Sequence, residues 1–126
     1  MGLRCLIVDD NRLFLDSART LLERQGLTIV GDASTRADAL RKAQTLRPDV
    51  VLVDVSLGEE DGVELAQRLL ADGPHVATVI LISTSSESDL ADLIVRSPAA
   101  GFLAKSELSG DAIRAFHDGA SATPGR

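Results

Sequence analysis

The sequence of 126 residues contains one cysteine, three phenylalanines and neither tryptophan nor tyrosine. A single cysteine excludes an intramolecular disulfide and fits a reducing compartment. Because Cys5 lies inside an apolar run, it is predicted to be a small buried side chain. With so few aromatic rings, the core must be built mostly from leucine, isoleucine, valine and alanine.

Long apolar segments and clusters of basic residues are missing as well. The apolar run over residues 76–82 is far shorter than the roughly 20 residues that span a bilayer, and residues 1–8 lack the pattern of a signal peptide. The net charge is −6, and the 13 lysines and arginines are scattered. These features predict a cytoplasmic protein that contacts no membrane and does not bind nucleic acid through these residues. They favour cationic partners, metal ions included.

Short apolar runs alternate with segments of helical periodicity along most of the chain. The runs predict strands over residues 3–8, 27–33, 50–54, 76–82 and 100–104. The intervening and following segments predict helices over about 11–25, 35–47, 62–72, 87–95 and 107–118, and the first has an inward stripe of Phe14, Ala18, Leu21 and Leu22. This order predicts a doubly wound α/β fold with a five-stranded parallel sheet. Residues 1–119 are predicted to form one domain, and residues 120–126 a flexible tail or the start of a linker to an absent output domain.

Polar side chains stand where four of these predicted strands end. The run Val50–Val53 leads straight into Asp54, which makes Asp54 the first candidate for chemistry. Because right-handed crossovers bring the carboxyl ends of parallel strands to one edge, where ligands bind, the others are expected beside it. They are Asp9, Asp10, Ser83, Thr84 and Lys105.

Taken singly, these residues have ordinary explanations, and only their joint placement predicts a site. Clustered carboxylates repel unless a cation intervenes, and Mg²⁺ suits a site with few direct carboxylate ligands. Lys105 adds a fixed positive charge, and Ser83 adds a hydroxyl donor. A carboxylate oxygen can attack phosphorus to give an acyl phosphate, so the pattern favours phosphoryl chemistry at Asp54.

Five local motifs give the sequence a family resemblance over residues 3–118. The motifs are Val8-Asp9-Asp10, Asp54 at the end of the third strand, Gly62 eight residues later, Ser83-Thr84, and Gly101-Phe102-Leu103-Ala104-Lys105. With these motifs the chain resembles the receiver domain of two-component response regulators, which implies a flavodoxin-like (βα)5 fold with strand order 2-1-3-4-5.

The resemblance implies a role for each candidate residue. Asp54 would be the phosphoacceptor and Lys105 would pair with the phosphoryl group. Mg²⁺ would be bound directly by Asp10, mainly through water by Asp9, and by the backbone carbonyl of Ser56. Of the hydroxyls after the fourth strand, Ser83 and Thr84, Ser83 would swing toward the phosphoryl group while Phe102 turns inward, which is the family's switch.

The resemblance also implies partners. A sensor histidine kinase would supply the phosphoryl group, phosphorylation would promote a homodimer, and the domain would catalyse only its own phosphorylation and dephosphorylation. The motifs around Asp10 and Lys105 look most like the branch with a helix-turn-helix output domain. DNA would therefore be bound only through a domain outside this chain, with transcription as the output. A stand-alone receiver acting as a relay intermediate or interaction switch is the alternative.

Two positions depart from the family pattern. Gly58 and Ser106 stand where many members have proline. Before Ser106 a trans peptide is expected, since a cis bond costs roughly 3 kcal/mol.

Three other functions compete with that of a phosphorylated receiver. A flavin-binding electron carrier would need a phosphate-binding loop in place of Asp9-Asp10, and aromatic residues to hold the flavin ring. A phosphohydrolase with an aspartyl intermediate would usually have an acid where Ser56 stands. A receiver fold that is never phosphorylated is the third.

Overall fold

The computed structural model describes residues 3–57, 60–72, 78–83 and 101–121. Within these ranges the strands are β1 (Arg4–Val8), β2 (Thr28–Ala33), β3 (Val50–Asp54), β4 (Ser56–Leu57), β5 (Glu60–Asp61), β6 (Thr78–Ser83) and β7 (Gly101–Ala104). The helices are α1 (Arg12–Arg24), α2 (Arg36–Leu46), α3 (Gly62–Asp72) and α4 (Gly110–Ser121), with a 3-10 turn at Lys105–Glu107. The helix predicted over 87–95, along with Gly58, Thr84 and residues 122–126, lies outside the described residues.

The main sheet has five parallel strands in the order β2-β1-β3-β6-β7. Counting these five strands along the chain gives 2-1-3-4-5, so the predicted doubly wound fold and strand order are confirmed. The short antiparallel ribbon of β4 and β5 was not predicted. It follows β3 directly, and therefore borders the edge at which Asp54 lies.

Strand β3 is the buried centre of the sheet. All five of its residues are buried, because its side chains alternate between two separate cores. Val51 and Val53 pack in one core cluster, and Val50 and Leu52 in the other. The continuous apolar run is thus explained by packing on both faces, as parallel sheets require.

Helix α1 begins and ends as its sequence predicts, but its buried stripe differs. The Asn11 side chain accepts hydrogen bonds from the first-turn backbone, and Gly26 follows the helix with a φ of 93°. Leu15, Ala18 and Leu22 are buried, at the helical spacing of three and four residues. The prediction that Leu21 faces inward was wrong: it lies one helical step off this stripe and is 38% exposed.

The last helix starts later than its sequence periodicity predicts. Helix α4 spans Gly110–Ser121, not residues 107–118, because the chain stays in a 3-10 turn and then extended backbone up to Leu108. The Ser109 hydroxyl then accepts the N–H of Ala112, and the N–H of Gly110 is bound by the side chain of Gln25. These two contacts set the helix start. Among the helices of the described ranges, none has the length and hydropathy that a bilayer crossing requires.

Cys5 is fully buried in β1, which makes its thiol a test of the core. Burial and the nearby charge of Asp49 raise the pKa of Cys5 to about 12 from an ordinary value of 9.0. The folded protein should therefore not react with a disulfide reagent at pH 8, whereas the denatured protein should react fully. Since the folded pKa is the higher one, the thiol's contribution to stability is complete below pH 9 and is lost between pH 9 and about 12. Rapid reaction of the native protein would contradict this packing.

Arg47 carries a backbone strain that a substitution should relieve. It ends α2 in the left-handed region with a φ of 50°, where a side chain is disfavoured and glycine is not. We expect Arg47→Gly to raise the free energy of unfolding by about 0.5–1 kcal/mol. Urea denaturation measures this, with Arg41→Gly inside the same helix as a control that should be destabilised. A loss of stability in both variants would contradict the strain.

Candidate functional site

The carboxyl edge of the main sheet brings together side chains that are far apart in sequence. Asp9 follows β1, Asp54 is the last residue of β3, Ser83 is the last residue of β6, and Lys105 follows β7. These strands are adjacent in the sheet, so their ends meet. The predicted convergence is therefore observed for these residues, while Thr84 lies outside the described part of the chain.

Three carboxylates form the acidic part of this edge. Asp9, Asp10 and Asp54 each offer one oxygen, and these three oxygens all lie within 4.8 Å of one another. Asp9 is fully buried, Asp54 is 7% exposed, and Asp10 is exposed. A hard cation prefers such an all-oxygen set with one side open to water, as Mg²⁺ does in proteins.

Asp9 has one satisfied oxygen and one that lacks an aligned hydrogen bond. Its Oδ1 atom accepts the N–H of Asn11 at 2.8 Å. Its Oδ2 atom lies 2.5 Å from Lys105 Nζ as an ion pair, but this buried oxygen has no hydrogen bond of acceptable geometry. The Lys105 ammonium offsets only one of the three clustered negative charges, and the all-oxygen donor set therefore fits a divalent metal.

Asp54 is held from two sides. Its Oδ1 accepts the N–H of Ser56 at 3.0 Å, and its Oδ2 lies 3.3 Å from Lys105 Nζ. Burial and then the charge of Asp9 raise the pKa of Asp54, against the opposing effects of Ser56 and Lys105. The carboxylate is thus oriented by fixed donors and is poorly solvated, which favours its use as a nucleophile.

Lys105 is the cation of the site. Burial opposes its charge, but the close contact with Asp9 and the charge of Asp54 outweigh burial and raise the pKa of Lys105. Its ammonium also lies 4.3 Å from the centroid of the Phe14 ring, a contact that the sequence did not reveal. Within the described ranges no peptide bond is cis, so the predicted trans bond between Lys105 and Ser106 is confirmed.

Gly62 joins helix α3 to the backbone of the site. Its N–H donates to the carbonyl oxygen of Val55 at 3.1 Å. A Cβ atom at this position would lie 1.9 Å from the backbone oxygen of Asp54. The sequence identified Gly62 only as a helix start and a family motif; the structure adds that no side chain fits there.

The remaining predicted residues occupy the rim of the site and the adjoining core. Ser56 is exposed and pairs with Asp61 in the β4–β5 ribbon. Ser83 is 3% exposed and pairs with Ala104 across the sheet. Phe102 is half-buried and packs against the core cluster that contains Val53. Ser83 and Phe102 thus lie on the neighbouring strands β6 and β7.

A comparison with known families agrees with this geometry. The sequence model of the response regulator receiver domain matches residues 5–116. The chain belongs to this family. The resemblance inferred from the five motifs is therefore confirmed, and the chain is a receiver domain of the two-component response regulator type.

Individual relatives of this receiver domain support the same conclusion. Response regulator GacA of Pseudomonas viridiflava is 34% identical over 104 residues, which are 82% of this chain and 48% of that protein. The chain thus spans about half the length of the curated relatives it matches.

Among the solved structures that match the fold are two of response regulators. The receiver domain of the response regulator NarL from Mycobacterium tuberculosis has a TM-score of 0.81 at 28% identity, covering 97% of this chain and 98% of that one. A response regulator from Burkholderia pseudomallei has a TM-score of 0.79 at 25% identity, covering 95% of this chain and 69% of that one. That structure contains a phosphorylated aspartic acid and a calcium ion.

Proposed function

We propose that Asp54 accepts a phosphoryl group from a sensor histidine kinase in a Mg²⁺-dependent reaction. The observation that carries this proposal is the cluster of three carboxylates with oxygens within 4.8 Å, two of which contact Lys105. The phosphorylated aspartic acid and the calcium ion of the Burkholderia pseudomallei relative support it, since that protein has the same fold. Membership of the family supports the signalling role, and the cluster indicates which residues would perform it.

The reaction transfers a phosphoryl group from a donor atom, a histidine nitrogen of the kinase or an oxygen of acetyl phosphate, to a carboxylate oxygen of Asp54. A carboxylate oxygen of Asp54 forms a bond to phosphorus while the bond between phosphorus and the donor atom breaks, and the donor keeps that electron pair. Lys105, whose ammonium lies 3.3 Å from Asp54 Oδ2, neutralises charge on the phosphoryl oxygens. The donor set for Mg²⁺ would be Asp9, Asp10, Asp54 and the Ser56 carbonyl. When bound, the metal would neutralise further charge and help to orient the phosphoryl group.

The signal would leave the site through β6 and β7. Ser83 lies at the end of β6, and its hydroxyl would bind a phosphoryl oxygen; the catalytic role predicted for Thr84 stays a proposal, because that residue lies outside the described ranges. Movement of Ser83 would open space beside β7 that Phe102 fills from its half-buried position. A new negative charge at Asp54 would bias this pair of side chains between two arrangements.

The output is a property of the whole protein, and the curated relatives are about twice as long as the part that this chain matches. We propose a cytoplasmic response regulator in which phosphorylation favours a homodimer and a separate domain binds DNA and controls transcription. On this proposal the receiver is no enzyme for other substrates; it catalyses only its own phosphorylation and dephosphorylation. A stand-alone relay or interaction switch remains the alternative, and the gene sequence that follows Arg126 discriminates the two.

Acetyl phosphate tests the phosphoacceptor chemistry without knowledge of the kinase. With Mg²⁺, the purified protein should gain the mass of one phosphoryl group in an intact-mass measurement. With a chelator in place of Mg²⁺, the gain should be lost, because the metal no longer offsets the repulsion among the carboxylates and the incoming anion. No gain with Mg²⁺, or an equal gain with the chelator, would contradict the proposal.

A further inference from the structure

The ammonium of Lys105 has an aromatic partner besides its two carboxylates. Its Nζ atom lies 4.3 Å from the centroid of the Phe14 ring, within the range of a cation–π interaction. The same atom lies 2.5 Å from Asp9 Oδ2 and 3.3 Å from Asp54 Oδ2. Lys105 is thus held by three groups, and its side chain is 14% exposed. Attraction to a ring face is stronger where water is excluded.

The Phe14 ring is itself fixed in place. Phe14 lies in the first turn of α1, and its N–H donates to the capping side chain of Asn11 at 3.2 Å. Its side chain packs against the core cluster that contains Ile7, Leu15 and Leu103. A ring anchored by a helix cap and by the core provides a rigid surface for a flexible lysine.

We propose that Phe14 is a positioning residue that holds the Lys105 ammonium where it can meet the phosphoryl oxygens, which rests on the phosphoacceptor role of Asp54. A lysine has a flexible four-carbon stem, and the ammonium already lies 2.5 Å from Oδ2 of Asp9, the nearer carboxylate, so charge attraction alone does not keep it within reach of Asp54. The ring attracts the ammonium without neutralising it and without competing as a metal ligand. A shift of about 1 Å toward Asp54 keeps the ammonium within reach of the ring.

A substitution that removes the aromatic ring of Phe14 but keeps an apolar side chain of similar size tests this role. Phe14→Leu should lower the phosphorylation rate at saturating acetyl phosphate and Mg²⁺ by roughly 5- to 30-fold, the range that a cation–π contact of this kind spans. Phe14→Tyr should restore most of the rate, because it restores a ring face. The matched control is Phe116→Leu: Phe116 packs against the same core cluster from α4, and the rate should be unchanged. A full rate in Phe14→Leu, or an equal loss in Phe116→Leu, would overturn the proposal.

Two readouts do not depend on phosphorylation. The ε-methylene protons of Lys105 should show an upfield ring-current shift in the NMR spectrum, lost in Phe14→Leu and kept in Phe116→Leu. In urea denaturation, the effects of Phe14→Leu and Lys105→Met should not add in the double variant, because each removes the same contact. An ordinary Lys105 shift, or additive effects, would overturn the inference. A wild-type protein that takes up no phosphoryl group while both readouts hold would instead contradict the role of Asp54.

Discussion

Asp54→Asn should abolish phosphoryl uptake from acetyl phosphate in the presence of Mg²⁺. The amide has nearly the shape of the carboxylate but lacks the charged oxygen that attacks phosphorus. It also removes one of the three carboxylates of the proposed metal site. Intact-mass measurement over a time course should therefore detect no modified protein, where the wild type is modified.

The control for this variant separates chemistry from folding. Asp16→Asn changes a carboxylate on the surface of α1 whose side chain is 66% exposed, and uptake should stay at the wild-type level. Burial raises the pKa of Asp54, so its ionised form is disfavoured in the fold, and Asp54→Asn should unfold no more easily than the wild type at pH 7 without metal. Equal labelling of Asp54→Asn and the wild type would show that another residue is the acceptor.

Gly62→Ala should destabilise the domain by about 3 kcal/mol or more, which is a large effect for one methyl group. The added Cβ would lie 1.9 Å from the backbone oxygen of Asp54 and 2.9 Å from Val55 Cα. Neither atom belongs to a flexible side chain, so the start of α3 or the end of β3 must move. Because that movement displaces Asp54, the phosphorylation rate should fall as well. Urea denaturation and the acetyl phosphate assay measure the two effects.

Gly31→Ala is the matched control for this substitution. Its Cβ would lie 3.0 Å from Leu46 Cδ1, the far end of a side chain that can rotate away. We expect a much smaller loss of stability and an unchanged phosphorylation rate. If Gly62→Ala behaved like Gly31→Ala in both measurements, the close contact between α3 and the Asp54 backbone would be wrong.

The sequence was sufficient to predict where the functional side chains meet, because that depends on topology. In a parallel sheet the strand ends that carry Asp9, Asp54 and Lys105 all lie at the same edge, and the observed strand order brings them together there. The strand order could be inferred only through the family resemblance. Hydrophobic periodicity predicts an order of elements, but it contains no information about which strands are neighbours.

Features that depend on three-dimensional contacts were not predictable. Helix α4 begins at Gly110 because Gln25, distant in sequence, binds its first N–H. Leu21 has the same hydropathy as the buried Leu22, and only the direction of the sheet decides which faces inward. Likewise, Phe14 was predicted to be core, because no local pattern reveals that Lys105 of another element lies over its ring.

Chemical identification of the modified residue tests the phosphoacceptor role of Asp54 most directly. Borohydride reduces an acyl phosphate to an alcohol, so a phosphorylated aspartate becomes homoserine, whereas phosphoserine and phosphohistidine do not. The protein is treated with acetyl phosphate and Mg²⁺, reduced, digested and sequenced by mass spectrometry. We expect homoserine at position 54 alone, with none when Mg²⁺ is replaced by a chelator. Homoserine at Asp9 or Asp10, or a phosphoryl group that survives reduction on another residue, would contradict it.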